Sequence, residues 1–190
     1  MESECRTRGR KGAAFLYVSL DRTNSIKKEK GTVKGKPEVL DQLAEMLKEE
    51  LGAISQYFVH AEMCENWGYK HLSELIKKQA IGEMKHAEKL IERILFLEGM
   101  PNMADLPKLN IGKNVKQQLE NDLELELSAV AAYNHAVAQC QKAGDHSSAE
   151  LLKELLEDEE DHVDFLESQL GIIKDVGLEN YLIEQMKDEE

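Results

Sequence analysis

Apolar residues recur at intervals of three and four through most of residues 36–190, the period of a helix with one face on a core. Leu40, Leu43, Leu47, Ile54 and Ala61 define one stripe, and Leu72, Ile76, Leu90 and Ile94 a second. Leu119, Leu123, Val130 and Val137 form a third, and Leu152, Leu155, Leu166 and Leu170 a fourth. Turn residues set the limits. Pro37 suits a first helical position and Gly68 follows Trp67, which predicts a helix over 37–67. The second is expected over about 70–97, stopped by Gly99 and Pro101, and the third over about 115–142, before Gly144. The capping-box pattern from Ser147 to Glu150 predicts the start of the fourth, Gly171 its end, and a short fifth helix covers about 178–186.

The connections are short, long and short. The long one, "GMPNMADLPKLNIGK" over 99–113, carries two prolines and two glycines and exceeds the usual helix–helix link. That order predicts an all-α fold, a four-helix bundle with one long crossover connection and a short C-terminal fifth helix. A coiled coil is disfavoured because no heptad is sustained.

Polar residues interrupt every stripe. Glu50 falls between Leu47 and Ile54, Glu83 and His86 between Ile76 and Leu90, Glu126 between Leu123 and Val130, and Glu159 and His162 between Leu155 and Leu166. Each long helix therefore points a carboxylate inward. Glu50 precedes Glu83 by 33 residues, as Glu126 precedes Glu159, and each second Glu has a His three residues on. A shift of 76 maps Glu50, Tyr57, Glu83 and His86 onto Glu126, Tyr133, Glu159 and His162, so the two halves read as a pseudo-twofold pair.

One buried unpaired carboxylate costs several kcal/mol, and four converging ones repel until some take up protons. Two divalent ions remove that difficulty, because four carboxylates and two neutral imidazoles balance their charge. A Glu from each of two helices with Glu-x-x-His from each of the other two is a recurrent way to hold paired metals in a bundle. The donors suit iron or manganese, with zinc able to compete. A single Glu-x-x-His on an acidic helix is weak, since most such pairs are solvated; two copies, each on a stripe and each with an inward Glu upstream, are strong. The competing reading is a structural bundle whose Glu and His pair with Lys or with each other.

Composition agrees with helices: of 190 residues, 42% are hydrophobic, 5% aromatic and only three are proline. The formal charge of −13 is uneven, because Lys and Arg outnumber Asp and Glu eight to four within residues 1–32. The remainder is strongly acidic, which repels nucleic acid and anionic membranes and attracts small cations. Cys5, Cys64 and Cys140 show no Cys-x-x-Cys spacing and read as reduced thiols of a cytoplasmic protein. No apolar run reaches the roughly 18–20 residues of a membrane span. The nearest, 13–20 behind a basic stretch, looks a little like a signal peptide but lacks a small-x-small cleavage site. His60, His71, His135 and His146 lack the Glu-x-x-His pairing and read as surface, helix-end or packed residues. Tyr57 and Tyr133 read as core-edge aromatics whose phenols are within a turn or two of a ligand and able to hydrogen-bond it.

Residues 33–190 resemble the bacterioferritins through "KGKPEVLDQL", "EELGAISQYFVHAEMCENWG", "GEMKHAEKLIERILFLEG", "LPKLNIG", "DLELELSAV" and "DEEDHVDFLE", in that order. The resemblance implies a ferritin-like fold and a hollow shell of 24 subunits. It also implies a di-iron ferroxidase centre on Glu50, Glu83, His86, Glu126, Glu159 and His162, where O2 or H2O2 oxidises Fe(II) before a ferric mineral forms inside. Met84, about 100° round the helix from Glu83, would by the same resemblance ligate a haem b shared across a dimer, serving reductive release with a donor such as a ferredoxin. On residue type alone Met84 is gap-filling packing. Lys78, Gln79 and Gly82 stand where some relatives carry inner-surface iron ligands, so such a site is not expected. Two rivals remain: a haem-binding electron-transfer or structural shell with an inactive di-metal site, and a rubrerythrin-like peroxidase, whose Cys-x-x-Cys module is missing. Residues 1–32 have no counterpart, and Val33 stands at the family's initiating Met. Because GUG encodes valine and can start translation, the subunit is expected to begin at residue 33, the basic leader being a mis-set start.

Overall fold

The computed structural model describes residues 33–186, so the expectations about residues 1–32 lie outside the described part. Five helices follow one another, α1 Pro37–Trp67, α2 Lys70–Phe96, α3 Val115–Lys142, α4 His146–Val176 and α5 Leu178–Gln185. None of them is long and apolar enough to cross a membrane.

Cross-helix contacts give the topology. Residues 57 and 64 of α1 reach 126 and 118 of α3, while His86 and Arg93 of α2 reach Asp158 and Ser148 of α4. Each of these pairs is antiparallel, and α1 also pairs antiparallel with α2, as Ser73 Oγ donating to the Ala61 carbonyl at 2.9 Å shows. Helices α2 and α3 therefore run parallel, and the chain between Leu97 and Asn114 must travel the length of the bundle. That segment lies directly on α1: a Cβ at Gly52 would come within 2.3 Å of Pro107 Cγ, so only glycine fits.

The fourth helix departs from the sequence expectation at both ends. Its N-cap is Asp145, whose carboxylate accepts from the Ser148 amide at 3.0 Å and from Arg93 Nη2 at 2.8 Å; the Ser147–Glu150 box does not open it. Two good capping residues stood two positions apart, and the one that also receives an arginine from α2 prevails. The helix then runs through Gly171, because an interior glycine costs only about 1 kcal/mol. It stops at Gly177, whose φ of 83° favours glycine.

Two apolar clusters fill the interior. Val39, Leu43, Leu47, Leu90, Ile94 and Leu152 belong to one, and Ala61, Leu72, Ile76, Leu119 and Leu166 to the other. Between Leu47 and Ala61 along α1, and at the matching height of the other three helices, the core turns polar.

Candidate metal centre

Glu50 from α1, Glu83 and His86 from α2, Glu126 from α3 and Glu159 from α4 are all buried, and His162 from α4 is nearly so. Residues three apart share a helix face, which is why each Glu and its His point the same way. The structure brings all six residues to one place. His86 Nδ1 lies 2.8 Å from Glu83 Oε2, 3.1 Å from Glu159 Oε1 and 3.7 Å from Glu50 Oε2. His162 Nδ1 lies 2.9 Å from Glu83 Oε1, 3.2 Å from Glu159 Oε2 and 3.9 Å from Glu126 Oε1. Glu83 and Glu159 each turn one oxygen to one histidine and the other oxygen to the other. Two donor sets result, Glu50–Glu83–His86–Glu159 and Glu83–Glu126–Glu159–His162, sharing two carboxylates. The imidazole rings stand 6.1 Å apart, nearly parallel.

The terminal carboxylates are held from the opposite half of the bundle. Tyr133 OH donates to Glu50 Oε1, and Tyr57 OH donates to Glu126 Oε1. Each tyrosine thus supports the carboxylate of the other repeat and leaves its second oxygen open. Both phenols are fully buried in the core, deeper than the core-edge placement expected from sequence.

The ligand atoms of each set converge to within 4.8 Å of one another. Glu83 Oε1 and Oε2, His86 Nδ1, Glu126 Oε2 and Glu159 Oε1 are all buried without a hydrogen bond, although several lie within 3.2 Å of a neighbour. An orphaned buried polar atom costs roughly 1–3 kcal/mol, so five in one layer require a shared partner. Divalent cations at the two donor sets would satisfy them, and the oxygen–imidazole chemistry fits.

Protons occupy the layer in the absence of such ions. Burial pushes Glu50 and Glu126 well above the ordinary carboxylate range, and the charges of Glu83 and Glu159 add to it. Burial acts the same way on Glu83, but the imidazoles of His162 and His86, 2.9 and 2.8 Å away, outweigh it and hold that carboxyl at about 2. Burial would lower both imidazoles; Glu159 and Glu83 instead raise His162 to about 11, and Glu159, Glu50 and Glu83 raise His86 further. Tyr57 and Tyr133 are pushed well above 10 by burial and by the carboxylates they touch, so both remain donors.

Some side chains here were not singled out from sequence. Asp158 Oδ2 lies 3.1 Å from His86 Nε2. Further along α1, His60 and Gln56 bind Asp122 of α3, at 2.9 and 2.8 Å, and receive the backbone amides of Gly112 and Asn110. Met84 is placed away from the six, 54% exposed, on the same helix as Glu83.

The profile of the ferritin-like domain matches residues 40–176, nearly all of the four long helices. A bacterioferritin of Brucella melitensis biotype 1 is 46% identical over 149 residues, covering 78% of this chain and 92% of that protein. A bacterial ferritin of Synechocystis sp. is 44% identical over 155 residues, covering 81% and 99%. A bacterioferritin of Mycobacterium leprae is 40% identical over 149 residues, covering 78% and 94%. With the bundle, the profile match and relatives of this identity in agreement, the chain belongs to the ferritin-like family and, within it, to the bacterioferritins.

Proposed function

We propose that the protein stores iron and that its buried polar layer is a ferroxidase centre whose substrate is Fe(II). The observation that carries this reading is the pair of donor sets sharing Glu83 and Glu159, with five buried donor atoms lacking any hydrogen bond. Glu83 and Glu159 bridge two substrate ions; Glu50 with His86 completes one set and Glu126 with His162 the other. Each Fe(II) gives up one electron, and the two electrons reduce O2 to H2O2, taking up two protons, or H2O2 to water. Four carboxylates match two ferrous ions in charge, whereas a ferric pair exceeds them by two. That excess favours departure toward a ferric mineral. The carboxylates bind and orient the ions, and Tyr57 and Tyr133 keep Glu126 and Glu50 aimed inward as the charge changes.

The assembly in this reading is a homo-oligomeric shell of 24 subunits built from dimers. Met84, with Ile81 three residues before it on α2 and Phe58 on α1, is a large exposed hydrophobe, the kind of surface that marks an interface. A thioether exposed there is available as an axial ligand, and Met84 of two subunits would hold one haem b between them. Haem in that position would supply one-electron transfer for reductive release, with a ferredoxin as a suitable donor.

Aerobic addition of Fe(II) tests the reading. Oxidation much faster than in buffer, lost in Glu50→Ala, is expected; equal rates for the two proteins sink the ferroxidase centre. Size-exclusion chromatography and a visible spectrum test the shell and the haem separately: a small species counts against the first, and a protein reconstituted with haem but lacking a bis-thioether spectrum counts against the second.

A further inference from the structure

The pseudo-twofold that relates the two halves of the centre breaks at the residue before the Glu of each Glu-x-x-His pair. Under the 76-residue shift, Glu50, Tyr57, Glu83 and His86 fall on Glu126, Tyr133, Glu159 and His162, and both tyrosine–carboxylate bonds obey the symmetry. The residue before Glu159 is Asp158, and its counterpart before Glu83 is Gly82. Asp158 places Oδ2 3.1 Å from His86 Nε2. A Cβ at Gly82 would meet a single group, His162 Nε2, at 4.0 Å. Each position therefore faces the outer nitrogen of the histidine from the opposite half, but only one of them carries an acceptor. Among the described residues no side chain hydrogen-bonds His162 Nε2. The side chain of His162 is also the more open of the two, 12% exposed against 6% for His86.

We infer that Asp158 is a positioning residue for His86, and that glycine at position 82 leaves the centre asymmetric, with a tight ion site at His86 and a loose one at His162. This rests on the metal-centre reading and adds an order of filling to it. A carboxylate accepting Nε2–H fixes the tautomer that presents Nδ1 as a lone pair, holds the ring against rotation and makes it a stronger donor. His86 has that support. His162 must spend part of its binding energy on being oriented by the ion itself. Loss of such an outer partner typically costs about 10- to 100-fold in metal affinity, which sets the expected gap between the two sites.

Co(II), which binds without reacting with O2 on this timescale, separates the sites. The whole protein is titrated with Co(II) against a competing chelator, following the ligand-field absorption. The expected result is two ions per subunit in two steps, about 10- to 100-fold apart. Asp158→Ala should weaken the tighter step by about that factor and leave the weaker one in place, whereas general damage to the fold would move both. Asp158→Asn keeps an acceptor for Nε2–H without the charge and should retain most of the gap. Gly82→Asp, which finds open space and improves the helix, should tighten the weaker step. Two equal steps in the unaltered protein, an unchanged gap in Asp158→Ala, or Asp158→Asn behaving as Asp158→Ala would each overturn the inference while leaving a two-metal centre intact. Failure to bind two ions at all overturns the metal-centre reading and this inference with it.

Discussion

Glu50 and His60 lie on the same side of α1, ten residues and so roughly 15 Å apart, and each anchors a buried polar layer that crosses the bundle. In the layer at His60 every donor has an acceptor. Asp122 takes His60 Nδ1 on one oxygen and Gln56 Nε2 on the other. The Gly112 amide donates to His60 Nε2, which makes Nδ1 the protonated nitrogen, and the Asn110 amide donates to Gln56 Oε1. The layer at Glu50 has the same burial and richer charge, yet five of its atoms lack hydrogen bonds. Buried polar groups that satisfy one another fasten a structure, here the end of the crossover segment to α1 and α3. Buried polar groups that converge without satisfying one another are waiting for something from outside the chain.

Removing a bridging carboxylate should separate the layers most. Glu83→Ala takes an oxygen from both donor sets, so binding of the second ion should vanish and Fe(II) oxidation should fall to the buffer rate, read by stopped-flow absorbance. The metal-free variant should lose little stability, because His86 and His162 can shed the protons that Glu83 held on them. Rapid oxidation in Glu83→Ala would break the bridging assignment. Asp122→Ala should do the opposite. It strands the His60 and Gln56 donors in the core, for a loss of about 2–6 kcal/mol in chemical denaturation at roughly 1–3 kcal/mol each, while two Co(II) ions still bind at temperatures where the protein is folded. A denaturation midpoint near that of the parent would show that the His60 layer fastens nothing.

Acidity sharpens the contrast. An ion needs neutral imidazole and ionised carboxylates, but in the metal-free protein His162 holds its proton up to about 11 and burial keeps Glu50 and Glu126 protonated well above the usual range. Metal uptake must therefore release protons, and affinity must rise with pH, about tenfold per unit for each proton displaced. Proton release during Co(II) titration in weak buffer checks it. Asp122→Asn should leave the number released unchanged, since the His60 layer takes no part.

Much of the metal layer was legible because its information is periodic. The Glu-x-x-His spacing, the offset of 33 and the shift of 76 all survive in one dimension, and the stripes say which way they point. What periodicity does not carry is angle. Nothing along the chain distinguishes Glu83 and Glu159, which belong to both donor sets, from Glu50 and Glu126, which belong to one each, nor tells that Tyr57 serves Glu126 instead of the Glu50 two turns back on its own helix. The His60 layer was opaque for a different reason. Its partners sit 62 and 52 residues away on a helix and in a loop, with no repeat to tie them together. Asp158 lay in plain view beside Glu159, and applying the shift one residue earlier would have set it against Gly82.

The smallest expected effect is an absence of reaction, and it belongs to the satisfied side of the comparison. Cys64 follows His60 by one turn, is fully buried, and donates to Gln118 Oε1 at 3.2 Å. Burial, with the charge of Asp122, pushes its thiol up to about 12, and burial raises Cys140 to about 11. At pH 8 only on the order of one Cys64 side chain in 10,000 is thiolate, the form that reacts. Iodoacetamide applied to the folded protein at pH 8, with peptides mapped by mass spectrometry, should therefore leave Cys64 and Cys140 unmodified, and denaturant should expose both. Alkylation of Cys64 in the folded protein would mean that solvent reaches the His60 layer. Its hydrogen bonds would then compete with water, and the distinction between a layer that fastens and a layer that waits would rest on the metal centre alone.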